Sequence, residues 1–267
     1  MDVAFRGGGG AGGVGSAFLA GYHAALRALF PGLDRPATMC ATEAEGAHPR
    51  SIQTRLSAGD RGFRLNGQKR WATGATRAEA LFVFASEGTD DAGRNRLRCV
   101  RVDPRAPGVR IEAMPAPSFT PEIVHAVVTL DDVAVSAEMI LPGDGYTRYL
   151  KPFRTVEDIH VMTALLGYLT GVACRCRWPA SALEDLLALA SAMRGLAAAD
   201  PLSAHTHLAL AGTLRWMAQQ VDSFEPHWSL TDEATRAGWQ RDRPLLQVAQ
   251  RVRDQRLAAA WKALGGA

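Results

Sequence analysis

Few residues of this 267-residue chain are of a type and spacing that could do chemistry. Glu157-Asp158-Ile159-His160 is a Glu-x-x-His, half of the motif that builds carboxylate-bridged di-iron sites in helical bundles. Such sites need two copies, and the chain has one. His205 and His207 would stand about 200° apart on a helix, so no metal site is expected. On its own, Glu157 reads as an acid near a helix N-terminus, where the dipole favours it without any function. Gly10-Ala11-Gly12-Gly13-Val14-Gly15 satisfies G-x-G-x-x-G ahead of a helix, where backbone N–H groups could hold a pyrophosphate. A dinucleotide fold also needs a hydrophobic strand before the glycines and βαβ alternation after them. Asp2 to Phe5 is barely a strand, and a run of strands follows. No Gly-x-Ser-x-Gly is present and neither Cys174 nor Cys176 has a basic partner nearby in sequence, so nucleophilic hydrolysis lacks support.

The elements that must position these residues fall into three regimes. Residues 1–37 hold a glycine run, Gly7 to Gly15, expected to be flexible. One short helix follows, read from Phe18, Tyr22, Ala25, Leu26, Leu29 and Phe30 and stopped by Pro31-Gly32. Residues 38–148 turn to period two. Phe63 and Leu65 alternate with Arg64 before Asn66-Gly67, a hairpin signal that predicts a turn there with Gln68 to Thr73 as the returning strand. Ala80 to Ala85 runs apolar without a break, as in a strand covered on both faces. Arg96 to Val102, Val109 to Ala113 and Val124 to Leu130 follow, separated by Gly, Pro and Asp turns. With no helix-length segment between them, these strands predict an antiparallel barrel or sandwich. Residues 149–267 become helical. Ile159, Met162, Leu165, Leu166, Leu169 and Val172 form one apolar stripe, and Ser181–Leu196, Ala204–Val221 and Pro244–Leu264 supply three more helices, enough for a four-helix bundle.

Composition narrows the function classes. Thirty Lys+Arg against 27 Asp+Glu leave a formal charge of +3, far from the basic excess that nucleic-acid binding requires. Three of the 30 cations are lysines (Lys69, Lys151, Lys262), and the arginine excess reads as coding bias in an Ala- and Gly-rich chain. No run approaches the roughly 18 apolar residues of a membrane span and Met1 to Phe5 leads into glycines, so a cytoplasmic protein without a membrane partner is expected. Cys40, Cys99, Cys174 and Cys176 show no CxxC and read as reduced thiols.

A family resemblance rests on several short pieces in order. Met39-Cys40-Ala41-Thr42-Glu43, Ser51-Ile52-Gln53-Thr54, Leu65-Asn66-Gly67-Gln68-Lys69, Trp71-Ala72-Thr73 and Leu81-Phe82-Val83-Phe84 resemble the middle β-domain of acyl-CoA dehydrogenases. Ala106-Pro107-Gly108-Val109, Leu130-Asp131-Asp132-Val133-Ala134-Val135 and Leu141-Pro142-Gly143-Asp144-Gly145-Tyr146 are similar to that domain's exit into its C-terminal helices. The resemblance covers residues 38 to 175. It implies an α+β fold, FAD held between the β-domain and the bundle, and oxidation of an acyl-CoA thioester to the 2-enoyl-CoA. An electron-transfer partner and a homodimer or homotetramer are implied with it. Within the family, the chain is expected to be a shortened, divergent member whose N-terminal helical domain is reduced to one helix.

Carried over by position, the resemblance puts Thr42 and the backbone near Ala41 against the flavin, and Trp71 and Thr73 along its ring, with Thr73 near N5. Ala47 and His48 fall in the loop that would face substrate. That loop, Thr42-Glu43-Ala44-Glu45-Gly46-Ala47-His48, departs from the family's Thr-Glu-Pro and Ala-Gly-Ser-Asp pattern: it lacks the Pro and Ser, is one residue shorter, and has His48 for Asp. Arg194 falls near the bundle arginine that reaches a neighbouring subunit's FAD. A branch of the family typified by isovaleryl-CoA dehydrogenase sets its base ten residues before a helix-packing glycine, and Glu157 stands ten before Gly167. On this reading Glu157 is the catalytic base, aimed past Ala164 and Gly167, with Asp158 beside it opposing its ionisation. The alternative is a helper or scaffold subunit that has lost FAD or activity.

Overall fold

The computed structural model describes residues 1–46, 48–59 and 62–265. The chain divides into two compact units, one of Leu29–Ala116 with Ile123–Pro152, the other of Met1–Ala28, Pro117–Glu122 and Phe153–Ala267.

The first unit is a seven-stranded sheet of β1 (Ala37–Cys40), β2 (Arg55–Gly59), β3 (Gly62–Thr73), β4 (Ala80–Thr89), β5 (Asn95–Val102), β6 (Val109–Ala113) and β7 (His125–Val135). The order is β1-β4-β2-β3-β7-β6, with β5 also on β4. Most pairs are antiparallel as expected, but β1 and β2 both run parallel to β4. The excursion through β2 and β3 supplies the long crossover that the parallel β1/β4 pair needs. Ala80 to Ala85 is buried at every position, as its unbroken apolar run predicts. Of these, Leu81, Val83 and Ala85 join Leu65, Val100, Val128 and Val133 in the core of this unit.

Asn66-Gly67 is not a turn. Both residues lie inside β3, and the strand continues past them. Strands β2 and β3 pair antiparallel as far as Gly59 opposite Gly62. Gly67 takes φ 150° at a register shift between Leu65 and Gly67, and a Cβ on it would approach Thr54 to 2.5–2.8 Å. The glycine thus marks a bulge with close backbone approach, the second meaning that glycine has in a strand.

The second unit contains α1 (Asp2–Gly9), α2 (Val14–Leu29), α3 (Lys151–Arg175), α4 (Ala180–Ala197), α5 (Ala204–Ser223), α6 (Glu233–Asp242) and α7 (Gln250–Ala263). Two expectations change here. Gly7 to Gly9 is not flexible but the last turn of a helix that residue propensities alone disfavour. The C-terminal region holds an extra helix, α6, and α7 starts six residues later than Pro244, after a 3-10 turn at Arg243–Gln247.

Helix α1 forms because its glycines let backbones touch. A Cβ on Gly8 would overlap the Ala164 carbonyl, and one on Gly21 of α2 would lie 2.6 Å from the Val161 Cα. Reciprocally, Gly167 leaves no room beside the Phe5 carbonyl, and Gly171 sits against Gly9. Ala164 and Gly167 therefore serve to seat α1 on α3. Gly15 donates its N–H to Glu122 Oε1 at 3.0 Å, so part of the G-x-G-x-x-G is spent on an internal carboxylate. Farther along, Trp178, Phe224, Trp228 and Trp239 pack into a buried aromatic cluster in which Trp228 stacks on Trp239. Beside Trp239 in sequence, the buried Asp242 carboxylate accepts the Thr120 N–H at 2.6 Å and both arms of the Arg241 fork at 2.7 Å.

Candidate active site

In the sheet unit the singled-out residues converge on the end of β3. Ala41 is buried and Thr42 half-buried just past β1, and the Thr42 carbonyl accepts the Arg70 N–H at 2.8 Å, next to Trp71. Glu43 anchors that loop. Its Oε1 takes Lys69 Nζ at 2.6 Å, the Thr54 hydroxyl at 2.7 Å and the Thr54 N–H at 3.0 Å, while Oε2 takes the Gln53 N–H at 2.8 Å. Burial raises the Glu43 pKa, but the Lys69 charge and these donors outweigh it and hold the carboxyl below its ordinary range. A buried charge pair of this kind is costly to break, by about 3–5 kcal/mol for removal of one partner. Lys69, the last residue of the Leu65–Lys69 stretch, is fully buried and gains its role only through Glu43. Its signal was composition, since a lysine survives there in a chain of 27 arginines.

Trp71 occupies φ 57°, a left-handed conformation that costs a bulky residue about 1–3 kcal/mol, at the bulge where β3 loses register with β7 between Lys69 and Ala72. The twist turns the indole out of the sheet and leaves Trp71 52% exposed. Thr73 is buried two residues on, its hydroxyl 3.3 Å from Nδ1 of His125, which pairs with it across β7. His125 also meets the indole in a T-shaped contact at 5.5 Å. Sequence reasoning missed His125, because nothing local marks a residue whose partners lie 52 and 54 positions away.

The loop's other residues are placed differently. His48 uses its Nδ1 to accept the Arg50 N–H at 3.2 Å, capping a 3-10 turn. Ala47 lies outside the described residues.

In the helical unit Glu157 sits in the second turn of α3, half-buried rather than solvated. Burial and then the adjacent Asp158 charge push its carboxyl up to about 8, with Arg154 and Arg253 offsetting part of the rise. Asp158 is clamped from α7. Arg253 places Nε and Nη2 on its Oδ1 at 3.0 and 2.8 Å, and Arg256 places Nη2 on Oδ2 at 2.6 Å. All three side chains are about nine-tenths buried. The same Arg253 lines a cavity of about 520 Å³ whose apolar wall includes Met162, Leu214, Met217, Val221 and Leu257. Arg194 is on the surface of α4, 69% exposed and paired with Asp2 of α1. Among the described residues no group of three His, Cys, Asp or Glu could hold a metal ion.

The succession of strands and then helices can be set beside known proteins. Residues 37–133 match the family model for the acyl-CoA dehydrogenase middle domain. Residues 37–133 thus resemble that middle domain, and the fold of the chain is acyl-CoA dehydrogenase-like. It is 30% identical over 115 residues to the 3-sulfinopropanoyl-CoA desulfinase of Paraburkholderia xenovorans (strain LB400), a stretch that spans 43% of this chain and 29% of that protein. Among solved structures it is similar to butyryl-CoA dehydrogenase from Megasphaera elsdenii, with TM-score 0.67 and 16% identity over 93% of this chain and 78% of that one. The prolyl acyl carrier protein oxidase AnaB gives TM-score 0.72 and 16% identity over 96% and 81%. At these identities the structural likeness establishes the fold.

Proposed function

We propose that the chain is an FAD-dependent oxidoreductase that introduces a double bond between Cα and Cβ of an acyl-CoA thioester. The observation that supports this most is Trp71, held half exposed beside the Thr73 hydroxyl in the domain 37–133. That set fits the ring end of a flavin: a flat apolar face to stack against, a hydroxyl to hydrogen-bond a ring nitrogen, and the Ala41–Thr42 backbone tied alongside. When bound, FAD would accept the two electrons and the hydrogen that leave Cβ. Glu157 takes the Cα proton, which its raised pKa suits, since a base that holds a proton up to about pH 8 is a stronger base once ionised. The family's electron-transfer partner and its dimer-of-dimers assembly belong to the same reading.

Purified protein should carry, or take up, a flavin band near about 450 nm that acyl-CoA bleaches. Glu157→Gln should keep the band and lose the bleaching. Full bleaching in that variant removes Glu157 from the reaction, and a colourless protein that takes up no FAD favours the helper-subunit reading. Two contacts favour that second reading: Arg194 spends its charge on Asp2, and His48 spends its Nδ1 on the Arg50 N–H.

A further inference from the structure

The left-handed backbone at Trp71 explains how the indole leaves the sheet but not what fixes its plane once there. A half-exposed tryptophan on a bulge has two free side-chain torsions, and a stacking wall needs one orientation. Among the described residues, the ring that meets it is His125. The same imidazole reaches the Thr73 hydroxyl from the facing position on β7. Its own backbone is tied on the opposite edge of that strand, where the His125 carbonyl accepts the Met114 N–H at 2.8 Å. One side chain therefore touches both members of the pair, from a strand end that is itself held.

We propose that His125 is a positioning residue for Trp71 and Thr73, its ring packing against the indole to fix the plane and its Nδ1 fixing the direction of the Thr73 hydroxyl. The proposal rests on reading those two residues as the wall for a flavin ring. A threonine hydroxyl has one hydrogen and two lone pairs, so a committed bond to His125 leaves its two other hydrogen-bonding directions aimed away from the imidazole. Burial lowers the His125 pKa and so favours the neutral ring, which keeps the bond without charging the site.

The test separates the two contacts with three variants. His125→Phe keeps a ring beside Trp71 and loses the hydrogen bond, His125→Asn keeps a polar side chain near Thr73 and loses the ring, and His125→Ala loses both. In flavin-free protein the Trp71 emission, taken as the difference between each protein and its Trp71→Phe counterpart, should shift to longer wavelength and quench more readily with acrylamide in His125→Ala and His125→Asn. It should stay native-like in His125→Phe. With FAD added, binding should weaken roughly tenfold in His125→Ala, the loss of about 1.4 kcal/mol expected of one hydrogen bond, and recover in part in His125→Asn. An unchanged Trp71 difference spectrum in His125→Ala overturns the proposal, as does loss of the signal in all three variants without rescue by Phe. A wild-type chain that ignores FAD while its Trp71 signal follows this pattern keeps the positioning role and overturns the flavin reading.

Discussion

Glu157 has a carboxyl whose folded pKa, about 8, lies above its ordinary 4.5. The folded chain therefore keeps a proton that the unfolded chain has released. The stabilisation from that proton is complete below about pH 4.5 and is lost as pH rises through about 8. Urea unfolding at pH 5, 7 and 9 should show wild type losing on the order of a few kcal/mol relative to Glu157→Gln over that span. Parallel pH dependence in the two proteins would mean that Glu157 titrates as an ordinary carboxylate. Because the base must be ionised, any bleaching of the flavin by acyl-CoA should speed up with pH and level off above about 8. Asp158→Asn should act in two opposed ways. It removes a neighbouring negative charge, so the midpoint of that rate profile should fall, and it strands two buried arginines, so thermal stability should drop by about 3–5 kcal/mol. A variant with an unshifted midpoint would show that Asp158 does not act on Glu157. The position of Glu157 was legible in the chain, and so was the opposition from Asp158. The Arg253 and Arg256 clamp was not, because it joins residues 95 and 98 positions apart.

At the scale of elements, local rules fail where tertiary contact outweighs them. Propensity makes three successive glycines a poor helix, yet Gly7 to Gly9 is helical, because the gain comes from backbone pressed on α3. Asn66-Gly67 carries the strongest short hairpin signal, and the same freedom at positive φ is used for a bulge. In both cases the local expectation fails because the glycine's partner, Ala164 in one and Thr54 in the other, is not adjacent in sequence. Period-two and apolar-run arguments did better, since β5, β6 and the buried half of β4 depend on alternation or continuity within the strand itself. Gly21→Ala should cost about 1–3 kcal/mol in thermal or chemical unfolding, as its Cβ meets α3 backbone that cannot move aside. Gly12→Ala, where a Cβ would meet nothing within 4 Å, is the matched control and should be near neutral. Equal losses in the two variants would mean that α1 and α2 are not held by close backbone contact.

For the whole molecule, the succession of strands and then helices was readable from periodicity, and the comparisons agree on the fold. Partition into two units was less so, because residues 1–28 and 117–122 group with the C-terminal helices through contacts that sequence order hides. Among the described residues no helix is long and apolar enough to cross a membrane. Helix α7 and the residues flanking it nevertheless expose Val248, Val252, Trp261 and Leu264, with Trp261 at 50%. Self-association through such side chains accords with the proposed family assembly. Sedimentation at micromolar concentration should return a multiple of 28.6 kDa, and a monomer mass would count against both the assembly and a shared FAD.

The glycine seam between α1, α2 and α3 also constrains how the gene can drift. Every glycine codon begins with GG, and any change at either of those two bases encodes alanine or something larger, or a stop. At Gly8, Gly21, Gly167 and Gly171 even alanine's methyl has nowhere to go. Third-base changes alone are silent, so a random-mutagenesis library selected for folded protein should retain glycine at these four codons while tolerating replacement at Gly12.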